Sequence, residues 1–148
     1  MKRIWIAGLA ALALLPAGAG AQSSSGAGEG SLTIDFQNIK VRRGVVLGAL
    51  FDSRGTYDAN KGSLRELKLP AADGDISVTI AGLKPGWYAV KTFQDIDANG
   101  AMRFNPVGMP LEPYAFSNNA RGLFGPASWR SAAFEVRPGP NHQVLRLK

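Results

Sequence analysis

The chain has 148 residues, 45% of them hydrophobic, a formal charge of +6 and no cysteine. That length gives room for one domain with a core, and the missing thiols exclude a disulfide framework, zinc–thiolate sites, thiol nucleophiles and a lipid-modified N-terminal cysteine. Basic residues are scattered, with Arg42-Arg43 the only adjacent pair after Lys2-Arg3. The charge therefore suits loose association with anionic envelope polymers and excludes the clustered stripe of a nucleic-acid binder.

Lys2 and Arg3 precede an apolar run, Ile4 to Leu15, and the small residues Ala19-Gly20-Ala21. This is the three-part layout of a secretory signal peptide over residues 1–21, with a run too short for the ~18 residues of a membrane span. The expectation is a periplasmic or secreted protein with no membrane span, whose charge falls to +4 when Lys2 and Arg3 leave with the leader. Residues 22–30 are mostly Ser, Gly and Ala and read as a flexible leader. Residues 31–148 read as a single domain.

Leu32, Ile34 and Phe36 alternate with Thr33 and Asp35, the period of a strand with one buried face. After Arg42-Arg43-Gly44, the short run Val45 to Phe51 is apolar on both faces and suits a central strand. Asp52-Ser53-Arg54-Gly55 bounds it. Thr56 to Asp75 is polar and broken by Gly62, Pro70 and Gly74, giving a long connection between sheets. Within it, Leu64 to Leu69 reads either as an edge strand or, from the spacing of Leu64, Leu67 and Lys68, as a short helix.

Ile76, Val78 and Ile80 alternate with Ser77 and Thr79 in another strand. Leu83-Lys84-Pro85-Gly86 carries type II turn chemistry, with Pro85 fixing φ and Gly86 taking a positive φ. The strand Trp87 to Phe93 should then return on its predecessor as a hairpin. Ala101 to Arg130 has four prolines and no sustained period, but its aromatics, among them Phe104, Tyr114, Phe116 and Phe124, argue for an ordered loop. Ala132, Phe134 and Val136 alternate again, and Pro138-Gly139-Pro140-Asn141 turns the chain into a last strand, Gln143 to Lys148. No helix is read with assurance. The fold class is all-β: an antiparallel β-sandwich of six to seven strands with one long ordered loop.

The sharpest chemical signal is Asp95-Ile96-Asp97-Ala98-Asn99-Gly100, three oxygen-bearing side chains at alternate positions before a turn glycine. Loops wrap hard cations this way, so Asp95, Asp97 and Asn99 are the candidate metal ligands, with calcium the candidate ion and no other cofactor indicated. An EF-hand loop would need a Glu where Pro106 stands, and Glu112 reaches the turn only if the long loop folds back. The competing reading is a hydrogen-bonded turn, since Asx residues and Gly are turn formers.

Glu112 to Asn119 mixes aromatics, amides and hydroxyls, the composition of an adaptable recognition surface. Glu112, Tyr114, Ser117 and Asn118 are its candidate contacts to an envelope glycan or protein partner, against the alternative that the loop packs on itself. His142 is the only histidine and is placed in a turn beside the last strand, so a Ser-His-Asp site hangs on one residue and a several-histidine zinc site is excluded. Asp95 or Asp97 paired with Glu112 supports the alternative function, a carboxylate-dependent hydrolase of envelope polysaccharide.

The blocks Gly82-Leu83-Lys84-Pro85-Gly86-Trp87-Tyr88-Ala89-Val90, Asp95 to Gly100, Gly108 to Asn119 and Phe124-Gly125-Pro126 occur in that order. In this the chain resembles the exported bacterial proteins catalogued as domain of unknown function 2141. The resemblance covers nearly all of the mature chain and implies export and a transthyretin-like or immunoglobulin-like sandwich, with no established activity. Members often carry an Asp soon after the glycine of the acidic run; Arg103 and Asn105 stand there in this chain. The expected function is an exported, non-enzymatic binding or accessory module of the cell envelope.

Overall fold

The computed structural model describes residues 28–71 and 74–148; the predicted signal peptide and most of the flexible leader lie outside the described residues. In chain order the elements are β1 (Gly30–Gln37), β2 (Val45–Phe51), α1 (Arg54–Ala59), β3 (Arg65–Pro70), β4 (Ile76–Leu83) and β5 (Gly86–Asp95). They continue as β6 (Tyr114–Phe116), a 3-10 turn (Ser117–Asn119), α2 (Trp129–Ala132), β7 (Phe134–Val136) and β8 (Gly139–Arg146). One sheet has the order β4-β1-β8, the other β3-β2-β5-β6, with β7 also pairing β5.

Alternation builds the space between the sheets. Leu32, Ile34 and Phe36 of β1 are fully buried and meet Val46, Leu50, Val90 and Leu145 in the main core. Each such side chain stabilises the fold by roughly 1.5–3 kcal/mol over its exposed state. A second, smaller core covers the outer face of the larger sheet, where Phe51, Tyr57 and Phe116 pack with Ala127 and Ala132 under α1 and α2. The Tyr57 hydroxyl donates to the carbonyl of Ala127 (2.8 Å), and Trp129 meets the Tyr57 ring edge-on at 5.6 Å.

The expected hairpin of the Ile76 and Trp87 strands does not form: β4 pairs with β1 while β5 pairs with β2, so the chain changes layers between them. The positive φ falls at Gly82 (+71°), not at Gly86. The Tyr88 hydroxyl then reaches back to the carbonyl of Lys84 (2.7 Å) and seals the corner, as a tyrosine does between strands of immunoglobulin-type sandwiches. Crossing layers leaves β4 on the edge of the smaller sheet and sets β5 inside the larger one, where Tyr88 and Val90 enter the main core and Ala89 the second.

Eight strands are present among the described residues, more than the six or seven expected, and the pairing is not wholly antiparallel because β1 and β8 run side by side in parallel. Leu64 to Leu69 contributes an edge strand, β3, rather than a helix. Two short helices were not foreseen. In α1, the Ser53 side chain accepts from the N–H of Thr56 and Asn60 closes the end in the left-handed region; Ser128 caps α2 in the same manner. The last strand begins at Gly139, four residues before the expected start, so His142 lies within β8 and not in a turn.

The partner of β5's outer edge is interrupted. Tyr114, Ala115 and Phe116 pair with Phe93, Thr92 and Lys91, the chain leaves through Ser117–Ala133, and Phe134 to Val136 resume on Tyr88 to Gly86. Tyr114 also exchanges two backbone hydrogen bonds with Lys148, so the end of the chain joins the two sheets on this side.

Candidate functional site

The acidic turn sits where β5 ends. The Asp95 carboxylate accepts from the N–H of Asn99 (3.1 Å) and of Gly100 (2.7 Å), while Asn99 Oδ1 accepts from Ala101 N–H (2.8 Å). Ala98 and Gly100 both take positive φ, which curls the backbone around that carboxylate. Burial opposes ionisation of Asp95, but the N–H groups of Gly100 and Asn99 outweigh it and hold the carboxyl below its ordinary value.

The long loop does fold back. Gln94 N–H donates to Pro113 O (2.8 Å), which brings Glu112, with a side chain 0% exposed, against the turn. Its two oxygens accept from Ile96 N–H (3.0 Å) and Arg103 N–H (3.1 Å). Asp95, Asp97 and Glu112 thus bring carboxylate oxygens within 4.8 Å of one another. The Arg103 guanidinium lies among them, Nε 3.4 Å from Asp97 and an Nη 3.6 Å from Glu112. Calcium at Asp95, Asp97 and Asn99 would compete with this resident side-chain cation and with backbone N–H groups for the same oxygens.

A third segment braces the turn from the β1–β2 side. Gln94 Nε2 donates to the carbonyls of Val41 (2.5 Å) and Arg43 (2.9 Å). Gly44, at φ +73°, packs so closely that a Cβ there would stand 2.8 Å from Ile96 Cα. Only glycine combines that approach with that φ.

Of the candidate contacts, Glu112 is at the acidic turn and the other three are not. Ser117 is fully buried some way back along β5, where its hydroxyl donates to Ala132 O (2.6 Å) and accepts from Val90 N–H (2.9 Å). Asn118 donates to Ala133 O (2.9 Å) and tethers α2. Both side chains are spent holding the interrupted edge together. Tyr114 is exposed and meets Phe116 edge-on at 5.9 Å. It borders a shallow open groove whose other polar lining includes Asn119, Arg121, Arg146 and Lys148.

His142 pairs with Asp35 at 2.8 Å on the outer face of the smaller sheet. Hydrogen bonds from Ser77 and His142 hold the Asp35 carboxyl below its ordinary value. Among the described residues the His142 ring bonds to Asp35 and to no hydroxyl, which is not the arrangement of a nucleophile triad.

The matching family model spans residues 34–144 and is described as "Uncharacterized protein conserved in bacteria (DUF2141)". The chain belongs to the DUF2141 family. No curated protein and no solved structure matches it. Within this DUF2141 chain, sequence reading missed the segment Arg103 to Leu111, which closes as a small hairpin through a Phe104–Pro110 bridge. Its turn signal, Asn105-Pro106-Val107-Gly108, stood in the sequence.

Proposed function

We propose that this DUF2141 protein is an exported, non-catalytic binding module of the cell envelope that takes an anionic group, such as a phosphoryl or carboxyl of an envelope glycan, at the groove beside β6. The observation that carries the reading is the groove's lining: Arg121, Arg146 and Lys148 converge on one concavity with Tyr114 and Phe116 as its aromatic wall. Cations on a shallow aromatic-walled surface hold anionic polymers through charge and ring contact, without demanding one ligand geometry. The carboxylates that a hydrolase would need are committed elsewhere, since both oxygens of Asp95 and of Glu112 accept backbone N–H groups.

The test is retention on immobilised dextran sulfate against neutral dextran. The parent should be retained on the first alone, and Arg121→Gln with Arg146→Gln should elute at clearly lower salt. Equal elution of parent and variant removes the groove as the site. Release of reducing ends from purified peptidoglycan by the parent, abolished in Glu112→Gln, would establish the hydrolase instead.

A further inference from the structure

We infer that the hairpin Arg103 to Leu111 is a membrane-contact element that dips shallowly into an anionic phospholipid surface. The inference deepens the envelope-module reading and rests on it for the compartment in which such a surface is met. Phe104, Val107, Met109 and Leu111 are 58, 81, 60 and 56% exposed. Phe104 and Pro110 lie opposite each other and share one face of the hairpin. By strand alternation Met109 and Leu111 belong to the other face, and Val107 is at the tip. A flat protein partner could cover only one of these faces. Hydrocarbon and headgroup carbon close around a protruding tip and cover them all.

The backbone of the hairpin is prepared for that medium. Asn105 N–H donates to Met109 O (2.9 Å), Gly108 N–H to Asn105 O (2.9 Å) and Leu111 N–H to Arg103 O (2.9 Å). Asn105 Oδ1 accepts from Val107 N–H (3.1 Å) and Met109 N–H (2.8 Å). Pro106 and Pro110 have no N–H. Every backbone donor from Asn105 to Leu111 is therefore absent or satisfied inside the hairpin, which is what a low-dielectric surrounding requires and water does not.

Charge around the base favours an anionic surface. Lys40, Arg42, Arg43 and Lys148 are exposed. The first three lie on the connection that Gln94 ties to the base of the acidic turn, and Lys148 is bonded to Tyr114. Against them stand exposed Asp75 and Asp97, the latter already paired with Arg103, and the carboxylates of Asp95 and Glu112, which are buried and bonded to backbone N–H groups. An apolar tip inside a positive collar is the combination by which peripheral proteins hold anionic headgroups.

The mature protein, purified after export, is floated with vesicles of phosphatidylglycerol and phosphatidylcholine, and with phosphatidylcholine alone. It should float with the first, release as salt is raised, and stay behind with the second. Val107→Ser with Met109→Ser should lower the bound fraction about tenfold or more, at unchanged Tm and unchanged dextran sulfate retention. Arg121→Gln with Arg146→Gln should do the converse, so failure of the hairpin and failure of the groove are told apart. Because the chain has no cysteine, Val107→Cys also accepts a single environment-sensitive fluorophore, which should shift to the blue on adding the anionic vesicles. The inference is overturned by absence of flotation, by equal flotation of the Ser variant, by equal binding to neutral vesicles, or by lipid-free self-association that the Ser variant abolishes.

Discussion

The acidic turn and the hairpin that follows it come from one stretch of chain and distribute their chemistry in opposite senses. In the turn, two of the three carboxylates that resemble ligands face inward, Asp95 and Glu112 being almost fully buried and bonded to the backbone of their own loop. In the hairpin, side chains that resemble core face outward, with Val107 the extreme case. Residue type alone does not tell the two apart. What decides is whether a group's bonding capacity is used up within the fold, and by that measure the turn is a support and the hairpin is what it supports.

That contrast breaks first at Glu112. Glu112→Ala strips the acceptor from Ile96 and Arg103 N–H and leaves Arg103 without its buried partner, so the melt should show a loss of about 3 kcal/mol. Gly44→Ala should cost slightly less, about 2–3 kcal/mol, through a strained positive φ and collision with the turn. A variant with parental Tm at either position would mean that the turn is not braced as described.

Acid should loosen the turn before the hairpin's own contacts are touched. Because the Asp95 carboxyl is held below its ordinary 3.8, its ionised form stabilises the fold at every pH above that value. The contribution is lost as pH falls through the lower folded value. Asp95→Asn should therefore lower Tm at neutral pH and flatten the fall below pH 3.8; a Tm–pH curve parallel to the parent's would contradict this. Calcium sharpens the same point. With Arg103 as resident counter-ion, the parent should melt alike in calcium and in chelator, and Arg103→Ala should gain a calcium-dependent rise in Tm. A rise in the parent would restore the cation reading of Asp95, Asp97 and Asn99. Smallest of all, Val107→Ser should change stability by no more than about 0.5 kcal/mol in a denaturant melt, as befits a side chain that is 81% exposed.

Much of the sandwich was legible because burial on one face forces alternation, and Leu32, Ile34 and Phe36 display it without ambiguity. Pairing was less legible. Ile76 to Ile80 and Trp87 to Phe93 are neighbours in sequence, and only the bend at Gly82 and the tyrosine-sealed corner send them to different sheets. Helix α1 escaped because six residues with Gly55 among them show no period. Glu112 was recognisable as the residue that could complete the acidic turn, given a loop that folds back. Ser117 was not recognisable as buried: between Phe116 and Asn118-Asn119 it has the composition of a surface, and its burial depends on the distant carbonyl of Ala132.

Native-state amide exchange at Ile96, Gly100 and Arg103 tests the central claim most directly, because the proton each amide gives up is held by Glu112 or Asp95. Exchange of all three only through global unfolding, slowed in step with overall stability, is the result predicted for a support built into the fold. Exchange at loop rates, indifferent to global stability, would contradict it and return the acidic turn to the role of an open ligand site.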